Sequence, residues 1–278
     1  MRFPHRPALP LYPLLLALFC LAPGARAADS APTKPLLFGV LNQQSPIQTA
    51  EKWNPLLRYL SQKTGIPLQL KMGHTVEQTD AMMGREEFDL VFTNHNFQTE
   101  YDGKYKVLVR WAGRPIHGSI VVLENSPARQ LKDLQGRLLS FPSLEAFAGY
   151  AVAMVALKDA GVTVKARFAG NQEGALAQLK AGQVDAAAVN SSFLEPYAER
   201  EKLRYRQIFI SEPYYELPVI IHPRVPAEQV AILRHALLDM RHDPSAAALL
   251  QQARSPGFEA ADEAAYDNVR RIYRAIGQ

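Results

Sequence analysis

The sequence predicts an α/β protein of two units hinged by crossing strands, each unit a mostly parallel sheet flanked by helices. Short apolar runs alternate with segments of helical period, the pattern of a sheet whose strands are joined by crossover helices. That order runs to about residue 123 and then restarts, giving two units rather than one long sheet. No Gly/Ser/Pro-rich linker separates them, so the units are joined by strands and enclose a cleft.

The elements follow in order. Residues 36–41 form an apolar strand, 49–63 an amphipathic helix that stops before Gly65, 68–71 a second strand and 76–83 a helix. Strands over 88–92, 105–111 and 119–123 complete the first pass, the last preceded by the turn at Gly113-Arg114-Pro115. The second pass reads strand 138–141, helix 148–159, strand 164–168, helix 173–180, strand 186–189, helix 190–201 and strands 205–210 and 219–222. Helices are expected over 227–240, 244–251 and 262–276. Crossings near 117–122 and 211–221 make lobe one discontinuous, 34–116 plus 217–278, with 117–216 as lobe two.

The first 27 residues read as a cleavable secretory signal peptide: Arg2, His5 and Arg6 precede an apolar run over 14–22, and Ala25-Arg26-Ala27 has the spacing of a cleavage site. A periplasmic location is expected. Cys20 is the only cysteine and falls in this segment behind Phe19, so cleavage is expected rather than lipidation, leaving no thiol for disulfides or catalysis. Loss of Arg2, Arg6 and Arg26 takes the formal charge from +4 to +1. With no basic run interleaved with aromatics, no nucleic-acid partner is expected.

In open α/β sheets ligands sit beyond the carboxyl ends of strands. That rule selects Gln43, Gln44 and Ser45 after the first strand, Thr93, Asn94 and His95 after the third, and Ser143, Glu145, Ala146, Phe147, Ala148 and Gly149 in lobe two. Asn171, Asn190 and Ser191 follow later strands of the same lobe. Backbone N–H groups at the helix start near Ala146–Gly149 suit an anion or carbonyl oxygen. Most of the side chains are neutral donors, and each Ser, Thr or Asn also reads as an N-cap. Glu145 complements a helix dipole, Trp53 and Phe92 suit core packing, and Phe147 is more open.

Catalytic constellations are absent from the sequence: there is no Gly-x-Ser-x-Gly elbow, no phosphate loop ending in Lys-Ser/Thr and no Gly-x-Gly-x-x-Gly. Asp80, Asp89 and Glu145 are not paired by their spacing. An exported enzyme using His95 with a carboxylate is the reading from another class, and a metal carrier using His74, His95 and His117 a third. No cofactor is expected.

Trp53-Asn54-Pro55-Leu56, Phe88-Asp89-Leu90-Val91-Phe92-Thr93-Asn94, Gly118-Ser119-Ile120-Val121-Val122, Leu131-Lys132-Asp133-Leu134-Gln135-Gly136-Arg137 and Gln183-Val184-Asp185-Ala186 together resemble the phosphate/phosphite/phosphonate-binding proteins of ABC transporters, in order, up to about residue 223. The resemblance implies a type II periplasmic binding protein fold, two lobes closing on a small anion or polar solute. It also implies a membrane partner, either an ABC permease or the sensor domain of a histidine kinase, and a monomer is expected. Carried over residue by residue, the family's hydroxyl run falls on Ala146, Phe147 and Ala148, its tyrosines on Lys52 and Thr93, and its His-Glu pair on Asn171 and Gln172. Lys52 therefore joins the candidates. Each charge-assisted bond left unmet costs about 1.5–3 kcal/mol, so a weak response to alkylphosphonates is expected.

Overall fold

The computed structural model describes Met1 and residues 34–278; the expected leader over 1–27, with Cys20, lies outside the described residues. Two sheets organise residues 34–278, and both are mixed.

The first sheet begins with β1 (Leu36–Val40), which pairs in parallel with β2 (Leu68–Lys71) and β3 (Leu90–Phe92). Helices α1 (Pro46–Thr64) and α2 (Val76–Gly84) make the crossovers. The far side of the sheet is antiparallel, where β10 (Pro218–Ile221) lies between β3 and β4 (Lys106–Trp111), and β11 (Phe258–Glu259) closes the edge. The strand order is β11-β4-β10-β3-β1-β2.

Helix α1 starts earlier than the periodicity suggests. Ser45 and Gln48 form a capping box with Pro46 in the first turn, and Gly65 ends the helix at φ 69°, a left-handed conformation that glycine adopts without a Cβ clash. Pro55 sits inside the helix and cannot donate to the carbonyl of Glu51; Gln252 Nε2 bonds that carbonyl instead, at 3.4 Å.

The second sheet has the order β7-β6-β8-β5-β9, formed by β5 (Gly118–Leu123), β6 (Leu138–Phe141), β7 (Lys165–Phe168), β8 (Ala186–Asn190) and β9 (Tyr205–Ile210). The β6 strand is parallel to β7 and β8, whereas β5 is antiparallel to β8 and β9. Between these strands run α3 (Val152–Asp159), α4 (Gln172–Lys180) and α5 (Ser191–Glu201). Two-residue periodicity sorts the sheet's side chains cleanly: Ile120, Val122, Leu139, Phe141, Ala186 and Ala188 face one core, and Val121, Ala187 and Val189 the other.

The remaining helices, α6 (Ala227–Asp239), α7 (Ala247–Gln252) and α8 (Asp267–Ala275), belong with the first sheet's core, which includes Leu233, Leu250, Val269 and Tyr273. An aromatic run through Phe38, Trp53, Phe92, Trp111 and Phe258, with centroids 4.8–5.3 Å apart, forms its centre. The chain crosses between sheets in the segments 112–117 and 211–217, where Ile116 and Tyr214 exchange N–H···O bonds of 2.9 Å. A hydrogen-bonded pair of connectors thus joins the two sheets.

Candidate functional site

Two cavities meet between the sheets. They share Leu41, Gln43 and Asn190, but little else.

The first cavity is small. It lies between the ends of β1 and β3 on one side and the loop and helix after β6 on the other, and holds about 20 Å³, room for about one water molecule. Asn42, Gln43, Asn94, His95, Ser143, Ala146, Phe147, Ala148, Asn171, Gln172 and Asn190 line it.

Its floor is the helix start after β6. Residues Phe147–Ala151 form a π-helical turn that runs into α3, and Ala146 carbonyl accepts from both Tyr150 and Ala151 at 2.9 and 3.0 Å. The N–H groups of Phe147, Ala148 and Gly149 have no acceptor among the described residues. The Ser143 hydroxyl is likewise buried without a partner. Donors left open at the positive end of a helix dipole are what an oxyanion needs.

Gly118, at the start of β5, allows this floor to approach so closely: a Cβ there would lie 2.7 Å from the Ala148 carbonyl oxygen and from Val152. Phe147 does not stand open. It is 3% exposed, packed edge-on to Tyr214 at 4.8 Å and against Tyr273 at 5.4 Å, and so joins the first sheet's core. Gln98 and Tyr273 donate to the Glu145 carbonyl, and Gln278 to that of Leu144, fastening the loop from the opposite sheet. Glu145 enters through its backbone rather than its carboxylate.

On the facing wall Asn42 and His95 are engaged within the chain. Asn42 donates to the Gly73 carbonyl and accepts from Thr79. Thr93 accepts from the His95 N–H, a local turn bond. His95 Nδ1 meets Asp80 Oδ2 at 2.7 Å, with side chains only 2% and 4% exposed. A carboxylate acceptor makes Nδ1 the donor, which leaves Nε2 for the cavity that His95 lines. Asp80 was legible in principle, since it shares a buried helix face with Val76, Thr79 and Met83, and an acid on that stripe requires a partner.

In the second sheet, Asn171 Oδ1 caps α4 and Asn190 Oδ1 caps α5, which leaves their amide NH2 groups beside the cavity. Gln172 accepts from the Asn190 N–H at 2.9 Å and fixes the two turns together. Ser45 caps α1, Ser191 accepts from the His117 N–H, and Gly149 packs on Pro142; none of the three lines either cavity. His117 Nδ1 bonds the Ser211 carbonyl, so His95 and His117 face different partners. No group of three metal-ligating side chains forms among the described residues.

The second cavity is open, about 460 Å³, and bounded by α1, α5 and the turn after α7. Gln44 and Lys52 line it, together with Trp53, Trp111, Glu216 and Arg254, whose charged members the sequence did not single out apart from Lys52. The Lys52 ammonium rests 4.6 Å from the centroid of the Trp111 ring. Burial lowers its pKa, partly opposed by Glu216. Burial also pushes the Glu216 carboxyl up to about 7.

The family model for periplasmic substrate-binding proteins of phosphonate ABC transporters matches residues 38–266. PhnD1 from Prochlorococcus marinus, in complex with methylphosphonate, superposes with a TM-score of 0.77 at 18% identity, covering 87% of this chain and 98% of that one. A binding protein component of an ABC phosphonate transporter from Pseudomonas aeruginosa gives 0.76 at 16% identity, with 86% and 85% covered. A Xanthomonas citri protein bound to chloride ion gives 0.73 at 18%, with 87% and 96% covered. No curated protein matches the sequence. With a match across most of its length and the type II periplasmic binding protein fold in place, the chain belongs to the periplasmic substrate-binding proteins of phosphonate ABC transporters.

Proposed function

We propose that this chain captures a small oxyanionic solute between its two sheets and presents it to an ABC permease, after export by removal of residues 1–27. The observation that carries this reading is the set of open donors at one point: the N–H groups of Phe147 and Ala148 beside the unpartnered Ser143 hydroxyl. The Asn171 and Asn190 amides line the same cavity. The methylphosphonate complex of the Prochlorococcus marinus relative supports an acid group of this class.

The lobes, 34–116 with 217–278 and 117–216, act as the two jaws. A cavity of about 20 Å³ cannot admit a phosphonate, so the connectors at Ile116 and Tyr214 must open before binding, and the ligand then stabilises closure by its preference for that state. Because Ala146, Phe147 and Ala148 supply no hydroxyl, backbone groups carry the acid. Alkylphosphonates are expected to bind more weakly than in a site that adds a hydroxyl run.

Thermal-shift and calorimetric titration over phosphate, phosphite, methylphosphonate and methanesulfonate tests this. A true ligand at 100 times its Kd adds about 2.7 kcal/mol of stability. Saturable binding by one of these oxyanions, weakened about three- to tenfold in Ser143→Ala and lost in Ala148→Pro, is the expected result. Proline in a first helical turn is tolerated, so that variant removes the N–H with little cost to the helix. Failure of all four oxyanions to stabilise the protein, or binding unchanged in Ala148→Pro, would overturn the reading. Binding should consume no ligand.

A further inference from the structure

We propose that Gln98, Phe147, Tyr273 and Gln278 form a latch between the lobes that favours closure without touching a ligand, so that it sets how often the cleft opens and scales the affinity for every ligand alike. The latch presupposes the two-lobed capture proposed above, but its first readout needs no ligand.

Lobe one supplies the rigid half. Helix α8 is fixed there: Val269 and Tyr273 sit in the first sheet's core, and the Arg270 guanidinium donates to Asp102, pairs with Glu263 and lies 4.5 Å from the centroid of the Phe97 ring. The helix ends in a Schellman turn, with Gly277 at φ 80°, its N–H on the Arg274 carbonyl and the Gln278 N–H on the Tyr273 carbonyl at 2.9 Å. The Thr99 hydroxyl donates to the Gln278 carbonyl at 2.8 Å. With its backbone held on both sides, Gln278 extends its amide to the Leu144 carbonyl of lobe two at 2.9 Å. Gln98 and Tyr273 donate to the next carbonyl, that of Glu145, at 3.4 and 3.3 Å.

Lobe two supplies the gripped half. Among the described residues the Leu144 and Glu145 carbonyls accept from no other group. Two residues further on, the Phe147 ring leaves its own lobe and plugs into the first sheet's core between Tyr214 and Tyr273. Opening must draw that ring into water. Burial of an aromatic ring outweighs hydrogen bonds that water can replace, so the plug supplies most of the strength and the three donors fix its register. Gln98, Tyr273 and Gln278 line neither cavity. They are positioning residues, which reach a ligand only through closure.

The test is small-angle scattering of the full chain without ligand, followed by calorimetry with phosphate, phosphite and methylphosphonate. Phe147→Ala keeps its N–H and should increase the radius of gyration and weaken each oxyanion that binds the parent by about threefold or more, the factor by which the closed fraction falls. Gln278→Ala and Gly277→Val lie at the end of α8, outside the core, and should act in the same direction by a smaller factor; they carry the test if Phe147→Ala does not fold. The proposal fails if the radius of gyration stays at the parent value in every variant that is folded by circular dichroism. It also fails if Gln278→Ala weakens one oxyanion and spares another, which would make that side chain a ligand contact. Should none of the three oxyanions bind the parent, the capture reading falls while scattering still decides the latch.

Discussion

The two cavities on either side of Gln43 and Asn190 are built from different materials. The small one is lined by amides, an imidazole and peptide N–H groups, and two of its first-sheet side chains, Asn42 and His95, are bonded within the chain. The open one is lined by charged side chains, of which Lys52 rests on the Trp111 ring, and neither Lys52 nor Glu216 has an ion-pair partner among the described residues. Preorganisation and frustration thus sit side by side in one cleft. A wall whose donors are held by their own neighbours positions a ligand with little ordering cost, whereas a wall of unmet charge gains most from being filled.

That contrast orders the effects of substitution. The largest is expected at the bonded wall: His95→Ala leaves the Asp80 carboxylate buried and unpaired, and should lower unfolding stability by about 3–5 kcal/mol, measured by urea denaturation. A change under 1 kcal/mol would show that this wall is not held by the pair. Next comes the floor. Gly118→Ala puts a Cβ against the Ala148 carbonyl, and the strain should cost about 1–3 kcal/mol while displacing the open N–H groups, so that oxyanion affinity falls with stability.

Smaller effects sharpen the comparison. Tyr273→Phe removes the bond to the Glu145 carbonyl that fastens the loop. About 1 kcal/mol should be lost, and hydrogen exchange at 143–149 should accelerate while exchange in the second sheet stays as it was. At the open cavity the expected sign reverses: Lys52→Met removes a desolvated ammonium and should leave the free protein as stable or up to about 1 kcal/mol more so. Glu216 gives a pH signature there. Its folded pKa is raised from 4.5 to about 7, so the folded state binds the proton more tightly, and its contribution is full below about pH 4.5 and lost as pH rises through 7. Glu216→Gln should flatten that decline, and a decline of the same size in the variant would assign it to other groups.

Much of the fold was legible because sheets and helices have short periods. Ile120, Val121 and Val122 alternate between two cores, as the sequence pattern requires. The antiparallel strands β5 and β10 make each sheet mixed rather than mostly parallel. Site residues were legible only as a set. Ser45, Thr93 and Ser191 carry the polarity of ligand contacts but are engaged elsewhere: Ser45 caps α1, Thr93 makes a local turn bond, and Ser191 accepts from the distant His117 N–H. Phe147 could not be placed from its neighbours in sequence, because the rings that bury it, Tyr214 and Tyr273, lie 67 and 126 positions away. Glu216 and Arg254 belong to the connectors and C-terminal turns, where no periodicity speaks.

The floor of the small cavity has a further consequence, for how such a protein changes over generations. Its open donors are peptide N–H groups of Phe147 and Ala148, which every residue but proline supplies alike. Replacement of the side chains at 146–148 can retune shape and affinity, but it cannot delete the donors. A recognition element written into the main chain is inherited with the fold itself, so the bound acid group can outlast the side chains that once distinguished one acid from another.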